Sequence, residues 1–193
     1  MTDTATPSLI NDCLGDGLVY IDEVPVQWAR LDGSPTEAKL AILNEENERL
    51  LRYLSSLDEY LHESKDAEPL AHDVARLEFK VNILMEMVSQ VLAQKMELPE
   101  PSRIEMTANG LVCVMPDPPG KGQYFQLSLY LNRQYLKPLI VCGRVAGVES
   151  AEEGGSRVAC VFEGLSDIVQ DHLERLIFRQ HRRMVALLHQ TDQ

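Results

Sequence analysis
Residues 104–115 read IEMTANGLVCVM, and the fold of the second half of the chain turns on how they are divided. Ile104, Met106 and then LVCVM are apolar positions at strand spacing, and Asn109-Gly110 between them is hairpin turn chemistry. The segment therefore reads as two antiparallel strands joined by a tight turn. The downstream segments have the same character. YFQLSLYL (124–131), LKPLIVCGRVAGVE (136–149) and SRVACVFEG (156–164) read as further strands, separated by PDPPGKG, NRQY and EEGG. In YFQLSLYL, Phe125, Leu127, Leu129 and Leu131 fall on one face, and Tyr124, Gln126, Ser128 and Tyr130 on the other. Tyr124, Tyr130 and Tyr135 are then candidates for an exposed contact surface.

Upstream, GLVYIDEVPVQWAR (17–30) is apolar and β-branched and supplies a first strand or two, with Pro25 suggesting an edge or a break. Six strands separated by turn residues imply a small closed antiparallel barrel. Residues 165–190 read as a final helix, capped by Ser166, with Asp167 and Asp171 near its start and Arg179, Arg182 and Arg183 toward its end.

Between the first strand and IEMTANG the period changes. Leu40, Leu43, Asn47, Leu50, Leu54, Leu57 and Leu61 alternate steps of 3 and 4, as do Leu70, Val74, Leu77, Val81, Leu84, Val88 and Val91. These are two heptad seams. Ser34-Pro35 with Glu37 gives a start signal for the first helix, and Pro99 and Pro101 stop the second. Ile42, Leu51, Ile83, Met87 and Leu92 widen the stripe beyond a two-stranded seam, which suits a bundle of four or more helices. Asn47 at a core position reads as a register device. The expectation is a helical hairpin over 36–97 that drives self-association, as a tetramer rather than a dimer. The alternative is a hairpin packed on its own domain. The chain thus divides into 1–35 with the first barrel strand, 36–97 for oligomerisation, and 98–193 for the barrel and last helix, an α+β architecture.

Composition narrows the function. The formal charge of the 193 residues is -12, all but one unit of it within residues 1–97. Such a chain repels phosphate polymers, so nucleic acid is not an expected partner. No apolar run is long enough to span a membrane, and the first residues lack signal-peptide character, so a cytoplasmic location is expected. Cys13, Cys113, Cys142 and Cys160 are scattered without a metal-binding or disulfide spacing, and no metal site is expected. The five histidines fall on helical segments, and no nucleophile-elbow, P-loop or dinucleotide fingerprint occurs, so the chain does not read as an enzyme.

A six-stranded barrel with a terminal helix resembles the PilZ domain, a receptor module for the bacterial second messenger cyclic di-GMP. Glu105, Thr107 and Gly110 occupy the spacing of the family's Asp/Asn-x-Ser-x-x-Gly motif, and an apolar strand comes next, as in the family. The resemblance covers roughly 102–190 plus the first strand. With inserted heptads, the chain is most similar to atypical, oligomeric PilZ proteins. The resemblance implies cyclic di-GMP as a ligand and other signalling proteins as partners. The family's arginine pair, however, is absent from the segment before the motif. Arg103 and Arg30 are the remaining ligand candidates, while Glu105 and Thr107 differ from the family side chains. The expected function is a non-enzymatic scaffold with weak or no dinucleotide binding and no cofactor. The second reading is a cyclic di-GMP receptor using displaced arginines, and a third is a coiled-coil adaptor unrelated to PilZ.

Overall fold
The computed structural model describes residues 13–15, 17–60, 69–95, 98–132, 135–151 and 155–191. Six strands, β1 (Tyr20–Arg30), β2 (Pro101–Thr107), β3 (Gly110–Met115), β4 (Tyr124–Leu129), β5 (Leu139–Ser150) and β6 (Ser156–Glu163), close a barrel in the order β1-β2-β3-β6-β5-β4. Every neighbouring pair is antiparallel. Three helices accompany them: α1 (Glu37–Tyr60), α2 (Pro69–Lys95) and α3 (Asp167–Thr191).

Pro25 does not break β1. It sits where the strand passes from one neighbour to the other: Tyr20 to Pro25 pair with β2, and Val26 to Arg30 pair with β4. A residue without an N–H is tolerated at such a handover. Its carbonyl still accepts a hydrogen bond from the Tyr130 N–H at 3.1 Å.

Alternation along the strands fills the barrel. Ile104, Met106, Leu111, Cys113, Phe125, Leu127, Leu129, Val141, Val145, Val158 and Cys160 are all buried in one cluster. Val169, Leu173, Leu176 and Ile177 of α3 join the same cluster, as do Leu50, Leu51 and Leu54 of α1. So α1 is part of the barrel's own core. It packs on α3 and on β5.

This divides the expected seam. Leu50 and Leu54 face the chain's own core and are not available to another copy. Leu40 and Leu43 are half-buried, and Leu40 lies against Gly164, where a Cβ would come 2.3 Å from its Cδ1. Asn47 is not a register device between helices. It is 2% exposed; its Nδ2 donates to the Ile140 carbonyl at 2.7 Å, and its Oδ1 accepts from the Ile140 N–H at 3.1 Å. β6 ends at Glu163, opposite Cys142, so Ile140 has no strand on that side. The Asn47 amide takes the place of the missing strand. Asn44 performs a similar service at the next connection, donating to the Gly164 carbonyl at 2.8 Å and accepting from the Ser166 N–H at 3.0 Å.

Replacing Asn47 by leucine would leave two partly buried backbone groups without partners. The expected destabilisation is about 2–4 kcal/mol in urea unfolding, with the oligomer mass unchanged. A changed mass with unchanged stability would instead return Asn47 to an interface between copies.

The α1 cap also differs from expectation. The Thr36 hydroxyl, rather than Ser34, accepts the Lys39 N–H at 3.3 Å, which leaves Pro35 outside the helix. Ser166 caps α3 as expected, accepting the Val169 N–H at 3.3 Å.

The second seam behaves differently. Val74, Leu77, Val81, Leu84, Val88 and Val91 of α2 are each 46–63% exposed. Among the described residues, α2 has no extended packing against α1 or any other element. Its 27 residues form a rod of roughly 40 Å. The side chains of Leu57 and Leu70, and all of Leu61, lie outside the described residues. No helix among the described residues is long and apolar enough to cross a membrane.

Candidate functional site
The motif-bearing hairpin β2–β3 ends at the pair Thr107–Gly110, leaving Ala108 and Asn109 as its two-residue loop. No described non-glycine residue has positive φ, and Gly110 does not either. Gly110 is therefore not required by the turn conformation, contrary to its sequence reading. It is required by space. A Cβ there would lie 2.1 Å from the Cys160 carbonyl oxygen of β6 and 2.6 Å from Cδ2 of Leu14.

Thr107 is buried, and its hydroxyl is engaged within the turn. The oxygen accepts the Asn109 N–H at 3.2 Å and donates to the Gly110 carbonyl at 3.4 Å. Asn109 ties the turn outward: its carbonyl accepts from the Phe162 N–H at 2.8 Å, and its Oδ1 accepts from Gln170 Nε2 of α3 at 2.8 Å. Beyond the turn, Leu14 packs with Val112 and Ala159 over the outer face of β3 and β6.

Glu105 points outward but is enclosed by cations. The Arg157 guanidinium of β6 donates to Oε1 at 2.7 Å, and Arg103 Nε lies 3.6 Å away. The Glu105 side chain is 14% exposed. Arg157 was invisible to sequence reasoning because it is 52 residues away. Only the β3–β6 register, which sets Val114 opposite Arg157, brings it near β2.

The second arginine candidate is far from the motif. Ile21 of β1 faces Glu105, whereas Arg30 lies nine residues further along the same strand, opposite Phe125. That is roughly 30 Å of strand. Arg30 pairs with Asp117 at 2.9 Å and its guanidinium carbon stands 5.9 Å from the Trp28 ring centre. The structure thus separates Arg30 from Arg103, Glu105, Thr107 and Gly110, and it does not assemble a displaced arginine clamp from the two.

The helix arginines have structural partners. Arg175 pairs with Asp171 at 3.0 Å, and Arg179 donates to the Ser55 hydroxyl at 2.7 Å, holding α1 on α3. The expected tyrosine face is also not formed: Tyr130 is buried, and Tyr135 packs on Tyr53 with ring centres 4.5 Å apart. Tyr124 remains half-buried.

Beside the motif turn lies a cleft of about 420 Å³, bounded by Gly17 and Leu18, by Thr107 to Asn109, and by α3 from Asp171 to Phe178. It has an apolar floor and, on α3, Asp171 and Glu174 with Arg175, whose charge is already paired with Asp171, so its described lining residues offer no free arginine pair to a dianionic nucleotide.

A family profile described as "Atypical PilZ domain, cyclic di-GMP receptor" matches residues 51–190. Among solved structures, a pathogenic protein from Xanthomonas campestris superposes with a TM-score of 0.75 at 21% identity, covering 96% of this chain and 99% of its own. That protein is described as a tetrameric PilZ domain self-assembled via an unusual helical bundle. At this identity the likeness speaks for the fold. The Bacillus subtilis inhibitor of motility MotI/DgrA aligns over 43% of this chain and 42% of its own, at 14% identity and a TM-score of 0.36. The PilZ domain of YcgR from Escherichia coli, with cyclic di-GMP, aligns over 44% and 73%, at 15% identity and a TM-score of 0.35. No curated protein matches by sequence.

Proposed function
The chain belongs to the atypical PilZ-domain family, and on that footing we propose that it is a non-enzymatic signalling module that assembles through α2 and acts by protein contacts. The observation that carries this reading is the exposure of six consecutive seam positions on α2, Val74 to Val91, in a helix without extended packing on any other element among the described residues. A 27-residue helix with such a stripe gains little from its own chain and is stable when its apolar side meets other helices. Phe79, Ile83 and Met87 are also exposed beside or behind the seam, which favours a four-helix arrangement over a two-stranded one. Barrel, α1 and α3 form one unit in this reading, and α2 is the assembly element between them.

Direct cyclic di-GMP binding is weak or absent. Glu105 already holds Arg103 and Arg157, the Thr107 hydroxyl closes its own turn, and Arg30 lies at the other end of β1. A phosphate at the motif would have to compete with an internal carboxylate for both local arginines. The non-enzymatic reading is supported by the thiols: burial pushes Cys113 up to about 12 and raises Cys142 and Cys160 as well, so none of these three is a thiolate nucleophile near neutral pH. The expected location is the cytoplasm, and the expected partners are other signalling proteins.

Light scattering of the full chain should give a mass near four times 21.7 kDa; a monomer would remove the basis of this reading. Calorimetry with cyclic di-GMP should show no saturable binding tighter than about 100 μM. Micromolar binding abolished by Arg103→Ala or Arg157→Ala would establish the receptor reading in its place.

A further inference from the structure
We propose that the cleft between the motif turn and α3 is a docking site for a short basic–apolar peptide segment of a partner protein. The inference rests on the reading that this domain acts through protein contacts, and it names where and with what chemistry.

The cleft is built from three segments: Gly17 and Leu18, the motif turn, and α3. Ile177 and Ala108, both buried, form its floor; Leu18 and Phe178, 46% and 50% exposed, stand as its walls. Asn109 is fixed to α3 by the Gln170 hydrogen bond, so the turn and the helix are held at a set separation. The volume of about 420 Å³ lies within the range of small ligand sites and accommodates one or two apolar side chains. Two large apolar walls left half open beside a buried floor are characteristic of an anchor pocket.

Charge selects the occupant. Asp171 and Glu174 line the cleft, and Arg175, the one cation among its described lining residues, pairs with Asp171 at 3.0 Å. Among the described residues, Glu174 has no ion-pair partner at this end. Asp167 lies one turn before Asp171 on the same side of α3. At the opposite end the Arg182 guanidinium carbon stands 5.9 Å from the Phe178 ring centre. The site is therefore polar along its length: a peptide with an apolar anchor and a lysine or arginine beside it places the cation at Glu174 and the anchor between Leu18 and Phe178. An anionic ligand meets a carboxylate there and approaches a chain of net charge -12.

The probe is a fluorescein-labelled hexapeptide with two central leucines flanked by lysines, compared with the same peptide carrying glutamates. Fluorescence polarisation with the full chain should favour the lysine peptide. Glu174→Lys, at an exposed side chain, should lower that preference about threefold to fivefold, the range of one exposed charge pair. Phe178→Ser should abolish saturable binding of both peptides. Equal binding by native chain and Phe178→Ser, or a lysine preference unaltered by Glu174→Lys, would overturn the site. So would no binding of either peptide. Micromolar cyclic di-GMP binding with the peptide preference intact would sink the ligand-free reading of the motif and still support this docking site.

Discussion

Replacing Leu77 and Leu84 of α2 by aspartate is expected to dissociate the assembly to single chains of 21.7 kDa. Both side chains are over 60% exposed within the chain, so the barrel loses no contact of its own. In a bundle of α2 helices the same two leucines would be buried. Their loss removes roughly 3–6 kcal/mol of burial per chain, before the added penalty of placing carboxylates in an apolar seam. Light scattering reads the mass. Circular dichroism should show a partial loss of helix, because α2 without partners is a marginal helix. The near-ultraviolet signal of the barrel should persist. A variant that keeps the native mass would show that assembly does not run through α2, whatever its effect on helix content.

Gly110→Ala is expected to destabilise the barrel by about 3 kcal/mol or more, through overpacking against fixed backbone. The added carbon would sit 2.1 Å from the Cys160 carbonyl oxygen. That oxygen belongs to β6, inside the β3–β6 ladder, and cannot move without disturbing the pairs Gly110–Val161 and Leu111–Cys160. The contact with Leu14 is with the end of a flexible side chain and can relax. Leu14→Ala in the same chain should therefore recover little of the loss. In a domain of this size the thermal midpoint should fall by roughly 6–12 °C. Gly110→Asn separates the two explanations of this glycine. Asparagine tolerates the left-handed backbone of a tight turn, so it would be accepted if conformation were the reason. It should be at least as damaging as alanine, because space is the reason.

Much of the fold was legible from short stretches. The period-two runs of β2 to β6 and the turn residues between them are local properties, and the barrel follows from their number. Ser166 announced the start of α3 in the same way. Pro25 was not legible, because its effect depends on which neighbour β1 has at that point. The start of α1 shifted because Ser34 and Thr36 are both competent caps, and only the chain's path chooses between them.

The candidate site was legible as spacing and not as geometry. Glu105, Thr107 and Gly110 could be placed on a motif, but their present partners could not. Arg157 reaches Glu105 through strand register, and Arg30 is kept from it by the length of β1. The cleft beside the turn depends on Phe178 and Leu18, which stand at opposite ends of the chain's sequence.

The two heptad stretches mark the boundary most sharply. Residues 40–61 and 70–91 carry the same repeat, and the repeat alone establishes that each forms an amphipathic helix. It does not say what covers the apolar side. Closure of the barrel places α1 over β5 and α3, where Leu50, Leu51 and Leu54 enter the core and Asn47 completes the exposed edge at Ile140. No such surface packs extensively on α2 among the described residues, and its stripe remains open. Periodicity is a property of the chain's own backbone, whereas the surface that buries a face is supplied by residues brought near only when the fold is complete.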